Sequence, residues 1–362
     1  MDLRLKKLDW YIIKKFMATF FVSMLLIIGL VIIFDVSEKI DDFISHNASL
    51  HDIVFYYYVN FVPYFINMFS PLFVFITVIF FTSVMASNSE IIAILSGGVS
   101  YHRMMVPYLV AAALIAGLSL VLNLYVIPRS NSTRLQFENK YVKQRGFYNR
   151  DVHYQIDPGT FVYVESFSTW NNTAYKFTLE SIQDNKIISK LTAETAAWDS
   201  TKGCWTLRKW FIRDYSEGLE DKVRTGSRMD TVINLTVSDF YRNKMTVETL
   251  PYGELKELIE TQKLRGDANV MYSEIEQHTR FALPFSAFIL TLMGVSLSAR
   301  KRRGGIGWNI AAGIALAFSY ILFLKFSQMF VTTDTLPPGL ALWLPNFIYA
   351  IITAVLYWKA PK

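Results

Sequence analysis

Phe16-Met17-Ala18-Thr19-Phe20-Phe21-Val22-Ser23-Met24-Leu25-Leu26-Ile27-Ile28-Gly29-Leu30-Val31-Ile32-Ile33-Phe34 carries no charge. About 20 helical residues cross the hydrocarbon core of a bilayer. Lipid offers no partner for a bare peptide group, so such a run must be helical. The residues that follow, Phe34-Asp35-Val36-Ser37-Glu38, make a poor cleavage site. The run therefore reads as a retained anchor, not a removable signal.

Five more apolar blocks lie near residues 53–85, 104–127, 281–299, 306–330 and 340–358. The chain is 52% hydrophobic and 18% charged, with 28 Phe and 20 Tyr, an apolar excess beyond that of a soluble domain. Six spans are expected. The second block is too long for one crossing, because its length would make a helix of roughly 50 Å. Pro63 and Pro71 permit a bend. Ile53–Val62, with Tyr56, Tyr57 and Tyr58, then reads as an interfacial helix, and Pro63–Met85 as the crossing itself.

Lys and Arg in short loops set orientation. Arg4, Lys6, Lys7, Lys14 and Lys15 precede the first span, Arg103 follows the second, Arg300–Arg303 follows the fourth, and Lys359 and Lys362 close the chain. The alternate loops are acidic or bare: 35–52 sets Lys39 against Asp35, Glu38, Asp41, Asp42 and Asp52, and 331–339 holds only Asp334. Both termini are thus expected in the cytoplasm, with residues 128–280 outside. The net charge of +6 belongs to these membrane rims and not to a nucleic-acid surface.

Residues 147–245 change pattern. Phe161–Glu165, Tyr175–Leu179 and Cys204–Arg208 alternate apolar and polar residues. Asp157-Pro158-Gly159, Asn171-Asn172, Asp184-Asn185 and Lys202-Gly203 mark turns between them. Short strands at this spacing point to a sandwich, jelly roll or barrel. A helix is expected over Pro251–Lys263, ended by Gly266, with a polar linker Gly266–Gln277 into the fourth span. The plan is 1–127, three spans; 128–280, a β-rich domain and helical linker; and 281–362, three spans. The fold class is an α-helical membrane protein of 3+3 spans with an inserted all-β domain. Cys204 is the single cysteine, so this domain folds without an internal disulfide.

Catalytic signatures are missing from the sequence. It has no Gly-Lys pair for a P-loop, no H-E-x-x-H and no C-x-x-C, and its five His are scattered. Asp41-Asp42 reads as charge bias at a span end more readily than as a metal site. No catalytic residue, metal or cofactor is assigned. The most informative short segment is Ser87-Asn88-Ser89-Glu90-Ile91-Ile92-Ala93-Ile94-Leu95-Ser96-Gly97-Gly98. Ser87 and Glu90 fit a capping box, Ile91, Ile94 and Leu95 share a helical face, and Gly97-Gly98 fits a stop. Pattern alone leaves two readings open: an ordinary connector, or a helix that docks into a cytoplasmic partner.

Ser89–Ser100 resembles the stretch after the second span of the LptF/LptG (YjgP/YjgQ) permeases, membrane subunits of the lipopolysaccharide export ABC transporter. Glu276-x-x-x-Arg280-x-x-x-Pro284 followed by Arg302-Arg303-Gly304-Gly305 is similar to that family's fourth-span entry and basic loop, and Leu8-Asp9-Trp10-Tyr11-Ile12-Ile13-Lys14 to its opening. The resemblance implies a β-jelly roll in the periplasm and a bacterial inner-membrane location. It implies a partner permease of the same family, with a weak lean to this chain being the G-type. It also implies a separate LptB-type ATPase dimer that uses ATP and Mg, an LptC-type subunit, and lipopolysaccharide as cargo. Ser89, Glu90, Ile91, Ile94, Leu95, Gly97 and Gly98 would then couple to the ATPase. Lys39, Lys325 and Arg134 are the candidates for lipid phosphates; Arg129, Lys140, Lys143 and Arg145 are neighbouring bases that read as a solvated face. Glu276 and Arg280 read as a structural pair. The competing functions are a membrane-anchored scaffold or sensor with a ligand-binding outer domain, and a secondary carrier. The second is disfavoured because Lys325 is the one clear charge inside a block.

Overall fold

The computed structural model describes residues 6–142, 148–184, 186–215, 221–241, 247–264, 266–267, 269–299 and 306–360. Six helices among them are long and apolar enough to cross a bilayer. The first is α1 (Lys7–Ser45) and the second α2 (Leu50–Ser87). The short α3 (Glu90–Ser96) leads to α4 (Tyr101–Tyr141). Strands β1 (Tyr148–Asp157), β2 (Thr160–Ser168), β3 (Thr173–Gln183), β4 (Lys186–Asp199), β5 (Cys204–Asp214) and β6 (Lys222–Thr231) follow. Then come α5 (Val237–Tyr241), α6 (Tyr252–Leu264), α7 (Val270–Ser298), α8 (Ile306–Thr332) and α9 (Pro338–Trp358). The chain packs as two compact units, residues 1–142 with 275–362, and residues 143–274.

Two expectations about helix ends need correction. The second block is one continuous helix from Leu50 to Ser87, not an interfacial helix followed by a span. Residues Ile53–Tyr58 are wound as a π-helix, and the Asn60 side-chain amide donates to the carbonyls of Phe55 and Tyr56. These bonds brace the wide turn, and Pro63 lies inside the helix without ending it. The polar linker before the fourth span is also shorter than expected, because α7 starts at Val270. Gly266 does leave the helical region, at φ +61°. The Asp267 carboxylate then accepts from the Asn269 backbone N–H at 2.8 Å and turns the chain into α7.

In the membrane unit α2 is the shared wall. Phe73, Val74, Val78 and Phe81 join one apolar cluster with Ile12, Phe16 and Phe20 of α1 and Tyr108 and Ala111 of α4. Phe75 and Ile79 join another with Leu290 of α7, Tyr320 of α8 and Tyr349 of α9. Glycines allow the close approach: a Cβ at Gly294 of α7 would lie 2.9 Å from Val78 Cγ1, and one at Gly313 of α8 would collide with Ile79. Inside lipid, polar side chains also tie helices together. Asn67 of α2 donates to Asn123 of α4 at 2.7 Å and accepts from Ser119 at 2.6 Å. By contrast Leu25, Leu26, Ile33 and Phe34 of α1 are exposed, as a lipid-facing surface requires.

The second unit holds a six-stranded antiparallel sheet in which each strand pairs with its sequence neighbour. The predicted alternation sets its register. Tyr154, Val162, Leu179, Leu191 and Ile212 line up across β1 to β5 and face the core with Phe167, Phe177 and Trp205. Phe240 of α5 stacks on Phe167 with ring centroids 4.1 Å apart. The Trp205 indole donates to the Leu235 carbonyl at 2.7 Å, so this large ring is buried without an orphan N–H. Cys204 is a buried free thiol.

Candidate functional site

All but one of the expected site residues gather at two opposite ends of α1; Lys325 lies on α8. Tyr11 and Lys39 are separated by roughly 40 Å of helix at 1.5 Å per residue.

At the Tyr11 end lies α3. It ends where the glycine pattern predicted, but it starts later than the Ser87 cap implied, at Glu90. Ser87 is still part of α2, and its hydroxyl donates back to the Val84 carbonyl at 2.9 Å. The residue ahead of the helix is Ser89, in the left-handed region at φ 62°, with no side-chain cap. Glu90 therefore does not close a capping box. Its carboxylate accepts from the Asn88 amide and from the Tyr11 hydroxyl of α1, each at 3.3 Å. Lys15 in turn donates to the Tyr11 hydroxyl at 2.9 Å.

The apolar face of α3 points inward. Ile91 is buried, and Ile94 and Leu95 pack partly buried against the same cluster. The residues left outward are Ile92, Ala93, Ser96, Gly97 and Gly98, and Ile92 is 54% exposed. Three of the residues expected to contact a partner thus hold the helix to the bundle, while Ile92, passed over in the sequence, presents an isoleucine to the outside. Beside α3, Arg103 of α4 grips Asp9 of α1 through two parallel hydrogen bonds of 2.8 and 2.6 Å. The Asp9 side chain is 6% exposed and that of Arg103 18%. This fork-to-fork pair fastens the start of α1 to the start of α4.

At the other end of α1, Lys39 and Arg134 come together. They are far apart in sequence, yet both approach the same carboxylate oxygen of Glu138: Lys39 Nζ at 3.8 Å and Arg134 Nε at 3.7 Å. Lys39 also pairs with Asp35 at 3.1 Å, and its ammonium touches the Tyr57 hydroxyl. Tyr57 and Tyr58 donate to the two Asp35 oxygens at 3.2 and 3.1 Å. The Arg134 guanidinium lies over the rings of Tyr64, at 5.0 Å, and Phe61, at 6.0 Å. Its Nε is buried and makes no hydrogen bond. Two cations and two carboxylates make the cluster neutral, packed against an aromatic wall. The i,i+4 spacings Asp35/Lys39 and Arg134/Glu138 were visible in the sequence as local pairs; their meeting was not.

Lys325 is exposed on α8, a helix packed against α2 and α9, whereas Lys39 and Arg134 lie on α1 and α4. Arg129 and Lys140 are exposed as well. Arg280 donates from Nε to Glu276 at 2.8 Å while 1% exposed. Lys143, Arg145 and Arg300–Gly305 lie outside the described residues.

No match to this chain was found among curated proteins. The family model described as lipopolysaccharide export system permease LptF/LptG matches residues 10–359. That span covers nearly the whole chain, with the six apolar helices and the β-rich unit, so the chain belongs to the LptF/LptG family of multi-pass inner-membrane permeases, which are non-catalytic transporter components.

Proposed function

We propose that this chain is one of two permease subunits that, driven by a separate cytoplasmic ATPase, lift lipopolysaccharide from the inner membrane toward a periplasmic bridge. One observation carries the site: Lys39 and Arg134, from two different spans, converge on Glu138 beside an aromatic wall. A phosphorylated glycolipid needs cations at the interface and an apolar surface below them. Here the phosphates compete with Glu138 and Asp35 for the two cations. Lys39 is the more exposed of the two cations, and Lys325 of α8 supplies a further cation. The Lys39 end then faces the periplasm and the Tyr11 end the cytoplasm, in keeping with the basic loops. There α3 offers Ile92 and its small neighbours to the ATPase, and Glu90 links that contact to α1 through Tyr11.

The scaffold reading is favoured by one fact, that Lys39 and Arg134 already have carboxylate neighbours and could be purely structural. Photo-crosslinkers placed at 39, 134 and 325 separate the two. The transporter reading expects capture of lipopolysaccharide that depends on ATP hydrolysis by a co-purifying P-loop ATPase. Silence at all three positions overturns the lipid site. An ATPase that does not follow the chain in mild detergent, or that still binds Glu90→Lys as before, overturns the coupling assignment.

A further inference from the structure

The face of the sheet opposite its core has an unexpected composition. Strand alternation should make it polar. Two cross-strand rows instead mix rings with hydrogen-bonding groups. One runs Gln155, Phe161, Glu180, Lys190 across β1 to β4, and the next runs His153, Tyr163, Thr178, Thr192. Side chains of both rows border a cavity of about 610 Å³ at the β1 edge, within the range of small-molecule sites. His153 and Tyr163 pack with centroids 4.6 Å apart, and the Tyr163 hydroxyl is fixed by donating to Asp151 at 3.0 Å. Phe161 is 38% exposed although the core lies on the other side of its strand.

The charges narrow the ligand. Lys190, the one Lys or Arg among the described lining residues, pairs with Glu180 at 2.7 Å and so is not held in reserve for a phosphate. An acyl chain would cover Gln155 and the Glu180–Lys190 pair and take away their water without offering a hydrogen bond in return. A ligand with apolar C–H faces and a rim of hydroxyls meets both demands: its faces lie on Phe161 and Tyr163, and its hydroxyls bond to the Glu180–Lys190 pair and Gln155. We propose that this face binds an uncharged saccharide. The idea rests on the lipopolysaccharide reading and adds to it: the membrane unit holds the lipid phosphates, and the β-rich unit holds sugar.

The test uses the full chain in a detergent without a sugar headgroup, and as probe a neutral oligosaccharide of hexoses only. Saturation-transfer NMR should show saturable binding. Phe161→Ala and Tyr163→Ala should each weaken it about fivefold or more. Glu180→Gln, close to isosteric, should weaken it without changing thermal unfolding, which guards against a folding artefact. Trp170→Ala removes a ring that is 71% exposed and outside the cavity; it should leave binding unchanged. No saturable transfer, or equal loss in Trp170→Ala and Phe161→Ala, overturns the proposal. Crosslinking of intact lipopolysaccharide at positions 39 and 134 in the same preparation separates the two failures. Lipid capture without oligosaccharide binding overturns the saccharide face alone, and loss of both overturns the transporter reading with it.

Discussion

The two ends of α1 handle charge in opposite ways. At the Tyr11 end, Asp9 and Arg103 form a closed two-point contact, largely withdrawn from solvent. At the Lys39 end, two cations share Glu138 at 3.7 to 3.8 Å, distances too long for well-formed hydrogen bonds. A bidentate pair resists rearrangement, since losing one partner strands a buried charge. A carboxylate shared at these distances gives up less on exchange for another anion than a bidentate one does. The contrast makes the first end a fixed joint and supports the proposal that the second exchanges a ligand.

The sharpest way to break this comparison is at the joint. Arg103→Ala should destabilise the chain by about 3 kcal/mol or more, the scale for uncovering a buried ion, read as thermal unfolding in detergent. Asp9→Asn with Arg103→Gln should recover part of the loss, because no bare charge remains. A single variant as stable as the parent would show that the joint is solvated and not fixed. Next in size is the outward face of α3. Ile92→Asp should lower ATPase affinity at least about tenfold, some 1.4 kcal/mol, with unchanged unfolding. A similar loss in Ile94→Ala, at a half-buried position, would mean that helix stability, not surface, was being measured.

The exchangeable end predicts a gain. Glu138→Gln removes the competing carboxylate, so capture of an anionic lipid by Lys39 and Arg134 should rise a few-fold in a competition assay with phosphorylated and dephosphorylated lipid A. A fall would show that Glu138 positions the cations instead of competing with the lipid. The smallest effect lies in the β-rich unit. Asp230 accepts from Lys202 and Thr206 at 2.8 Å each, and these hold its carboxyl down at about 2, below the ordinary 3.8. A depressed acid stabilises the fold above its unfolded value and loses that contribution as pH falls from about 4 toward 2. Tryptophan fluorescence during acid titration should show the sheet loosening in that window. Asp230→Asn should weaken the sheet at neutral pH and flatten the response between pH 4 and 2.

Legibility in the sequence followed the range of each interaction. The six crossings were readable because hydropathy over about 20 residues is a local property. So were the strands around Phe161, Tyr175 and Cys204, from period-2 alternation, and the stop of α3 at Gly98, whose φ is +83°. Helix ends were harder. Block two reads as an interfacial helix followed by a span from Pro63, whereas the structure runs it as one helix through a π-wound turn over Ile53–Tyr58. Ser87 and Glu90 had the capping spacing, but Tyr11, remote in sequence, competes for the carboxylate.

By itself the sequence determined that this is a membrane protein of six spans with a β-rich insert, and it supplied the motif order by which the family is recognised. Tertiary structure decided which side chains meet. It turned Ile91, Ile94 and Leu95 inward and left Ile92 outside, because the bundle covers one side of a helix that is apolar nearly all round. It brought Lys39 and Arg134 to one carboxylate, because α1, α2 and α4 pack directly on one another. Burial and pairing of this kind depend on distances in space that no spacing along the chain encodes.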